Sequence, residues 1–100
     1  MHARWKTLDS LAQLEESVTQ SHVSPQIIFK HSTRCIISKM VLSQLEENLG
    51  AIPPNATLLF LDLLNHRDVS NAIAMQLGVH HESPQVVVIK NGKAVFHESH

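Results

Sequence analysis

A chain of 100 residues, 43% of them hydrophobic, is sized for one globular domain spanning 1–100, and such a domain buries roughly 60–68% of the surface its unfolded chain exposes. Eight Lys+Arg against nine Asp+Glu leave a formal net charge of −1, so no basic field points to nucleic acid or an anionic membrane as partner. The N-terminus lacks the long apolar segment of a signal peptide, and the most apolar stretch, Leu58 to Leu64, is interrupted by Asp62; a soluble cytoplasmic protein is expected.

In chain order, residues 7–19 read as a first helix: Leu8, Leu11, Leu14 and Val18 recur at helical spacing, Thr7 is placed to cap, and Glu15 and Glu16 fall on the polar side. Ser24-Pro25 breaks the chain. Residues 26–30, Gln-Ile-Ile-Phe-Lys, are nearly all apolar, as in a strand buried on both faces. From Arg34 or Cys35 to Leu49 the spacing predicts a second helix with residues 37, 40, 41, 45 and 49 on its buried face, Ser38 mostly turned away, and Gly50 as the stop. Pro53-Pro54-Asn55 marks a turn, and residues 57–63 repeat the buried-strand pattern.

A third helix is predicted over 67–77, with Val69, Ile73 and Leu77 on one face and Gly78 just past its end. Residues 85–90 and 93–97 then form a hairpin around Asn91-Gly92, a dipeptide suited to the positive φ values of a tight turn. The order is α-β-α-β-α-β-β, an α/β fold in which a βαβ unit with parallel strands and an antiparallel hairpin make a mixed four-stranded sheet flanked by helices.

Cys35 is the only cysteine, so it makes no disulfide within the chain and is either a small buried apolar residue or a working thiol. It lies where a strand and a polar turn feed a helix. The unpaired N–H groups and the dipole of a helix N-terminus favour negative charge there, and the thiolate is the reactive form in disulfide exchange. Thr33 and Arg34 make the thiol's immediate environment. Arg34 either favours the thiolate by its charge or meets an acidic group of a thiol ligand. Ser38, one turn further on, either donates its hydroxyl hydrogen to the thiolate or is an ordinary exposed helix serine. A serine cannot attack a mixed disulfide, so one formed on Cys35 has no resolving partner in this chain and needs an external thiol.

Eight histidines invite a metal reading, but their spacing does not support one: His80 and His81 are adjacent and diverge on any regular element, and no recognisable ligand set includes Cys35. His31 and His81 are expected at the surface, with a place near the thiol as the other reading. Trp5 is a packing candidate. Pro84, before a strand, reads as simple punctuation.

Three stretches taken together, 28–35 with Ser38 (Ile-Phe-Lys-His-Ser-Thr-Arg-Cys, then Ser), 66–71 (His-Arg-Asp-Val-Ser-Asn) and 78–85 (Gly-Val-His-His-Glu-Ser-Pro-Gln), make the chain resemble the monothiol bacilliredoxins, thioredoxin-like proteins of the bacillithiol system. The resemblance runs from Trp5 to His100. It implies a thioredoxin-like fold and a monothiol thiol-disulfide oxidoreductase. Cys35 is then the nucleophile with Ser38 as its catalytic neighbour, and S-thiolated proteins and a low-molecular-weight thiol are the partners. Bacillithiol is implied as co-substrate, with no tightly bound cofactor. It also implies a cis Ser83–Pro84 bond against the cysteine, with Ser83 backbone groups pairing with an extended substrate. Two features depart from the pattern. Ile36 stands where proline is common in the family, and residues 99–100 directly follow the last strand where thioredoxin-like folds add a helix. That C-terminal helix is therefore expected to be absent from these residues, with the native chain extending past them. Two non-enzymatic readings stand beside the enzyme: a scaffold sharing an iron–sulfur cluster between subunits, against which the bulky Ile36-Ile37 pair argues, and a stress adaptor whose cysteine is only modified. No oligomeric state follows from the sequence.

Overall fold

The computed structural model describes residues 2–99. Its elements run β1 (Trp5–Thr7), α1 (Leu11–Gln20), β2 (Gln26–His31), α2 (Ile36–Glu47), a short 3-10 turn (Leu49–Ala51), β3 (Thr57–Asp62), α3 (Arg67–Leu77), β4 (Gln85–Lys90) and β5 (Lys93–Ser99). The sheet is mixed and has five strands in the order β1-β3-β2-β4-β5, not the four expected. The additional strand is β1, which pairs parallel to β3 through Trp5↔Leu58 and Thr7↔Phe60. Three residues are too few to show an alternation, and the pairing that makes them a strand comes from a segment far along the chain.

Because Thr7 belongs to β1, the first helix starts later than its apolar spacing suggests. Ser10 is the N-cap, its hydroxyl accepting from the Gln13 N–H at 3.1 Å, while the Gln13 side-chain oxygen accepts from the Asp9 N–H at 2.7 Å. This is a reciprocal cap in the manner of a capping box. Leu8 is fully buried in the link between strand and helix.

Strand β2 lies at the centre, parallel to β3 and antiparallel to β4, and is buried on both faces as its composition requires. On one face α1 and α3 bring Leu14, Val69 and Ile73 onto Ile28, Leu61, Val87 and Ile89. On the other, Val41, Leu42 and Leu45 of α2 pack on Trp5, Phe29, Leu49 and Leu58. The predicted face of α2 is displaced. Ile37 and Met40 are 49% and 59% exposed, and Ser38 is the helix's one fully enclosed side chain. The first turn of α2 is apolar on nearly every side, so apolar spacing alone does not orient it; the polar partners of Ser38 do.

Helix α3 has the expected bounds and ends on Gly78 at φ 65°. The hairpin turns through Asn91 and Gly92 at φ 51° and 76°, and β5 runs to Ser99. Among the described residues no helix is long and apolar enough to cross a membrane.

Candidate functional site

The carboxyl end of β2 delivers the site. His31 is the last residue of the strand, Ser32, Thr33 and Arg34 turn the chain, and Cys35 is the N-cap of α2 with extended backbone (φ −106°, ψ 119°). The Cys35 N–H closes the turn on the Ser32 carbonyl at 3.2 Å, and the Cys35 carbonyl accepts from Lys39 at 3.2 Å. The side chain makes no capping bond, is a free thiol and is half-buried. Thr33 and Arg34 are exposed beside it.

Ser38 is not an exposed helix serine. It is 0% exposed, its oxygen accepts from the Ser32 N–H at 3.1 Å, and it lies 2.7 Å from His31 Nδ1. His31 is not at the surface either. Its ring is buried between Phe29 and Phe60, with centroids 5.7 and 5.2 Å away. Burial holds the His31 pKa below the usual 6.5; Lys39 adds to that effect and Asp62, its register partner on β3, opposes it.

On the neighbouring strand, the register Lys30↔Gln85 brings Ser83 and Pro84 to the end of the sheet from which the 31–35 turn leaves. The Ser83–Pro84 bond is cis, Pro84 is buried, and the buried Ser83 hydroxyl oxygen has no hydrogen-bond partner among the described residues. Beneath this loop lies a feature that apolar patterning does not reveal: Lys30, fully buried, directs its ammonium to the Ser70 carbonyl and to His81 Nδ1, at 3.2 and 3.3 Å. Burial lowers the Lys30 pKa from 10.5 to about 8. His81 is exposed as expected, and its pKa is lowered by burial of its inner edge and by Lys30, Arg67 and His80, against Glu82. The available signal was the Lys30-His31 pair closing an otherwise apolar strand.

The rim of the site is apolar. Ile36 is 74% exposed, and with Ile37 and Met40 it forms a greasy edge on the first turns of α2, next to the thiol. A hollow between β1 and α1, lined by Lys6, Gln13, Glu16 and Thr57 among others, contains none of the site residues. Among the described residues no group of three or more His, Cys, Asp or Glu is placed to hold a metal ion.

This geometry has relatives of known fold. The chain is similar to a thioredoxin-fold protein described as a candidate oxidoreductase, at 29% identity over 96% of this chain and 82% of that one, with a TM-score of 0.82. Mitochondrial thioredoxin 3 from Saccharomyces cerevisiae, in its oxidised form, matches at 22% identity over 93% and 80% of the two chains, with a TM-score of 0.73. Oxidised thioredoxin O2 from Arabidopsis thaliana matches at 19% identity over 100% and 85%, with a TM-score of 0.75. These last two share the fold alone. The family model for monothiol bacilliredoxin BrxC matches residues 6–100. With one thiol at the head of α2 and a serine a turn beyond it, on a thioredoxin fold, the chain belongs to the monothiol bacilliredoxin family, a family of thiol redox proteins.

Proposed function

We propose that the protein removes bacillithiol, or a similar low-molecular-weight thiol, from protein mixed disulfides through Cys35. The observation that carries the reading is the pairing of a half-buried free thiol at the N-cap of α2 with a buried serine, not a cysteine, one turn away. The Cys35 thiolate attacks the small-thiol sulfur of the mixed disulfide. That S–S bond breaks, the target protein leaves as a thiolate that takes a proton from water, and a new S–S bond joins Cys35 to the small thiol. A second small-thiol thiolate then attacks the sulfur of the bound small thiol, giving the small-thiol disulfide and returning Cys35 as thiolate. No electrons enter or leave beyond the thiols exchanged, so bacillithiol is a co-substrate and no bound cofactor is needed.

The exposed Ile36, Ile37 and Met40 edge and the Ser83–Pro84 loop flank the thiol and suit an extended segment of the target protein: apolar contact from one side, backbone pairing at Ser83 from the other. Thr33 and Arg34 are exposed in the turn, which supports a role for them in meeting the acidic part of the small thiol. The cycle requires a pool of reduced thiol, which the cytoplasm maintains. Intact-mass analysis after exposure to bacillithiol disulfide and, separately, to glutathione disulfide tests the reading. A rapid adduct on Cys35 that prefers bacillithiol and is released by excess thiol is expected; slow modification without preference would overturn it.

A further inference from the structure

We propose that His31 is a positioning residue for Cys35: it competes with the thiolate for the single hydroxyl proton of Ser38. This inference rests on Cys35 being the reacting thiol of the proposed cycle.

A hydroxyl has one hydrogen to give and two positions at which to accept. Ser38 is fully enclosed, so water does not serve it. One accepting position is taken by the Ser32 N–H at 3.1 Å. His31 Nδ1, at 2.7 Å, leaves two arrangements. If Nδ1 is bare, it receives the Ser38 hydrogen, and the hydroxyl has nothing left to donate. If Nδ1 carries a hydrogen, it fills the second accepting position on Ser38, and the Ser38 hydrogen turns elsewhere.

The hydrogen bonds of the Ser38 hydroxyl in the structure are those to Ser32 and His31; the competing acceptor in the proposal is Cys35, once ionised. It is the N-cap, Ser38 is the third helical residue, and side chains three apart on a helix share a side. Cys35 Sγ has no hydrogen-bond partner among the described residues, so the thiolate competes for the Ser38 hydrogen only by drawing it from His31. The groups facing His31 set the balance. Phe29 and Phe60 enclose the ring, and Lys39 on α2 disfavours a charged imidazole, whereas Asp62 on β3 favours it. In the resting state the neutral ring holds the proton and leaves the thiolate less stabilised. A less stabilised thiolate is the stronger nucleophile per molecule, but fewer thiols are ionised, and at a pH below the thiol's pKa the lost fraction outweighs the gained reactivity, so the His31 contact acts as a brake. Formation of the thiolate pulls the Ser38 hydrogen across and requires the His31 proton to sit on Nδ1.

Iodoacetamide alkylation of Cys35 needs no physiological substrate, so its outcome is separate from the identity of the small thiol. It is measured at neutral pH for wild type, His31→Phe, Ser38→Ala and the double variant, with circular dichroism to confirm folding. His31→Phe removes the competitor and is expected to speed alkylation about two- to threefold; Ser38→Ala in that background abolishes the gain. A histidine acting only through its charge gives the opposite sign. Slower alkylation in His31→Phe, or a gain that survives Ser38→Ala, overturns the proposal. In the unmutated protein, imidazole nitrogen NMR is expected to show His31 Nδ1 bare while Cys35 is a thiol and protonated once it ionises. An Nδ1 that carries its proton in both states contradicts it.

Discussion

The ammonium of Lys30 stands 3.3 Å from His81 Nδ1, with the Lys30 side chain fully buried in the central strand. A lysine ammonium only donates, so His81 Nδ1 accepts and the outer nitrogen of that ring carries its hydrogen. The arrangement ties the 79–84 loop, which carries Ser83 and Pro84, to the strand that carries the cysteine turn.

Burial of this charge costs stability, and the sign follows from its pKa. The folded value is about 8, against 10.5 for an ordinary lysine. Between those values the unfolded chain holds the proton and the folded one does not, so stability rises with pH across that window; below it both states are protonated and the cost is present in full. The difference corresponds to roughly 3 kcal/mol. Lys30→Met is expected to be more stable than wild type by about 1–2 kcal/mol at neutral pH and to lose the alkaline rise. Urea unfolding between pH 7 and 11 checks both; a wild-type stability that falls from pH 8 to 10 contradicts the account.

The β4–β5 hairpin is anchored at its tip by α1. Ser21, at the C-terminal end of that helix, accepts from the Asn91 N–H with its carbonyl at 2.9 Å and from the Gly92 N–H with its hydroxyl at 2.8 Å. Gly92 sits at φ 76°, and a Cβ there would meet His22 Nε2 at 3.3 Å. Gly92→Ala is expected to cost about 1–2 kcal/mol, and Ser21→Ala about 1 kcal/mol through the hydroxyl bond it removes. Denaturant midpoints measure both. A neutral Gly92→Ala would show that the tip tolerates a side chain as readily as an open loop.

The apolar rim offers a test of substrate choice that leaves the thiol alone. Ile36 and Met40 are mostly exposed, so Ile36→Ser with Met40→Gln is expected to change stability by no more than about 0.5 kcal/mol. The same variant is expected to raise KM for an S-thiolated protein severalfold while leaving exchange with the small-thiol disulfide unchanged, because only the protein substrate is large enough to span the rim. Equal loss on both substrates would place these side chains in the chemistry and not in recognition.

Much of the frame was legible before any coordinates. The Cys35 turn between strand and helix, the Asn91-Gly92 hairpin and the α3 bounds all rest on local chemistry, and local chemistry is what a sequence displays. What was not legible came from distant pairings. Trp5 to Thr7 become a strand only because Leu58 to Phe60 lie alongside. Lys30 finds its partners 40 and 51 residues away. The spacing from Cys35 marks Ser38 as a candidate, but a hydroxyl one turn from a thiol does not reveal that a buried imidazole from the preceding strand also claims it. Apolar spacing misplaces the buried face of α2 for the same reason: its first turn offers apolar residues in several directions, and the Ser38 contacts to Ser32 and His31 select one.

The central claim, that Cys35 works alone and needs an outside thiol to be freed, is tested most directly by single-turnover de-thiolation of a bacillithiol-modified protein. With no free thiol present, wild type is expected to release one equivalent of repaired protein, gain the mass of one bacillithiol on Cys35 and stop; added bacillithiol restarts it, and Cys35→Ser does nothing. Continued turnover without added thiol, or de-thiolation by Cys35→Ser, would contradict it.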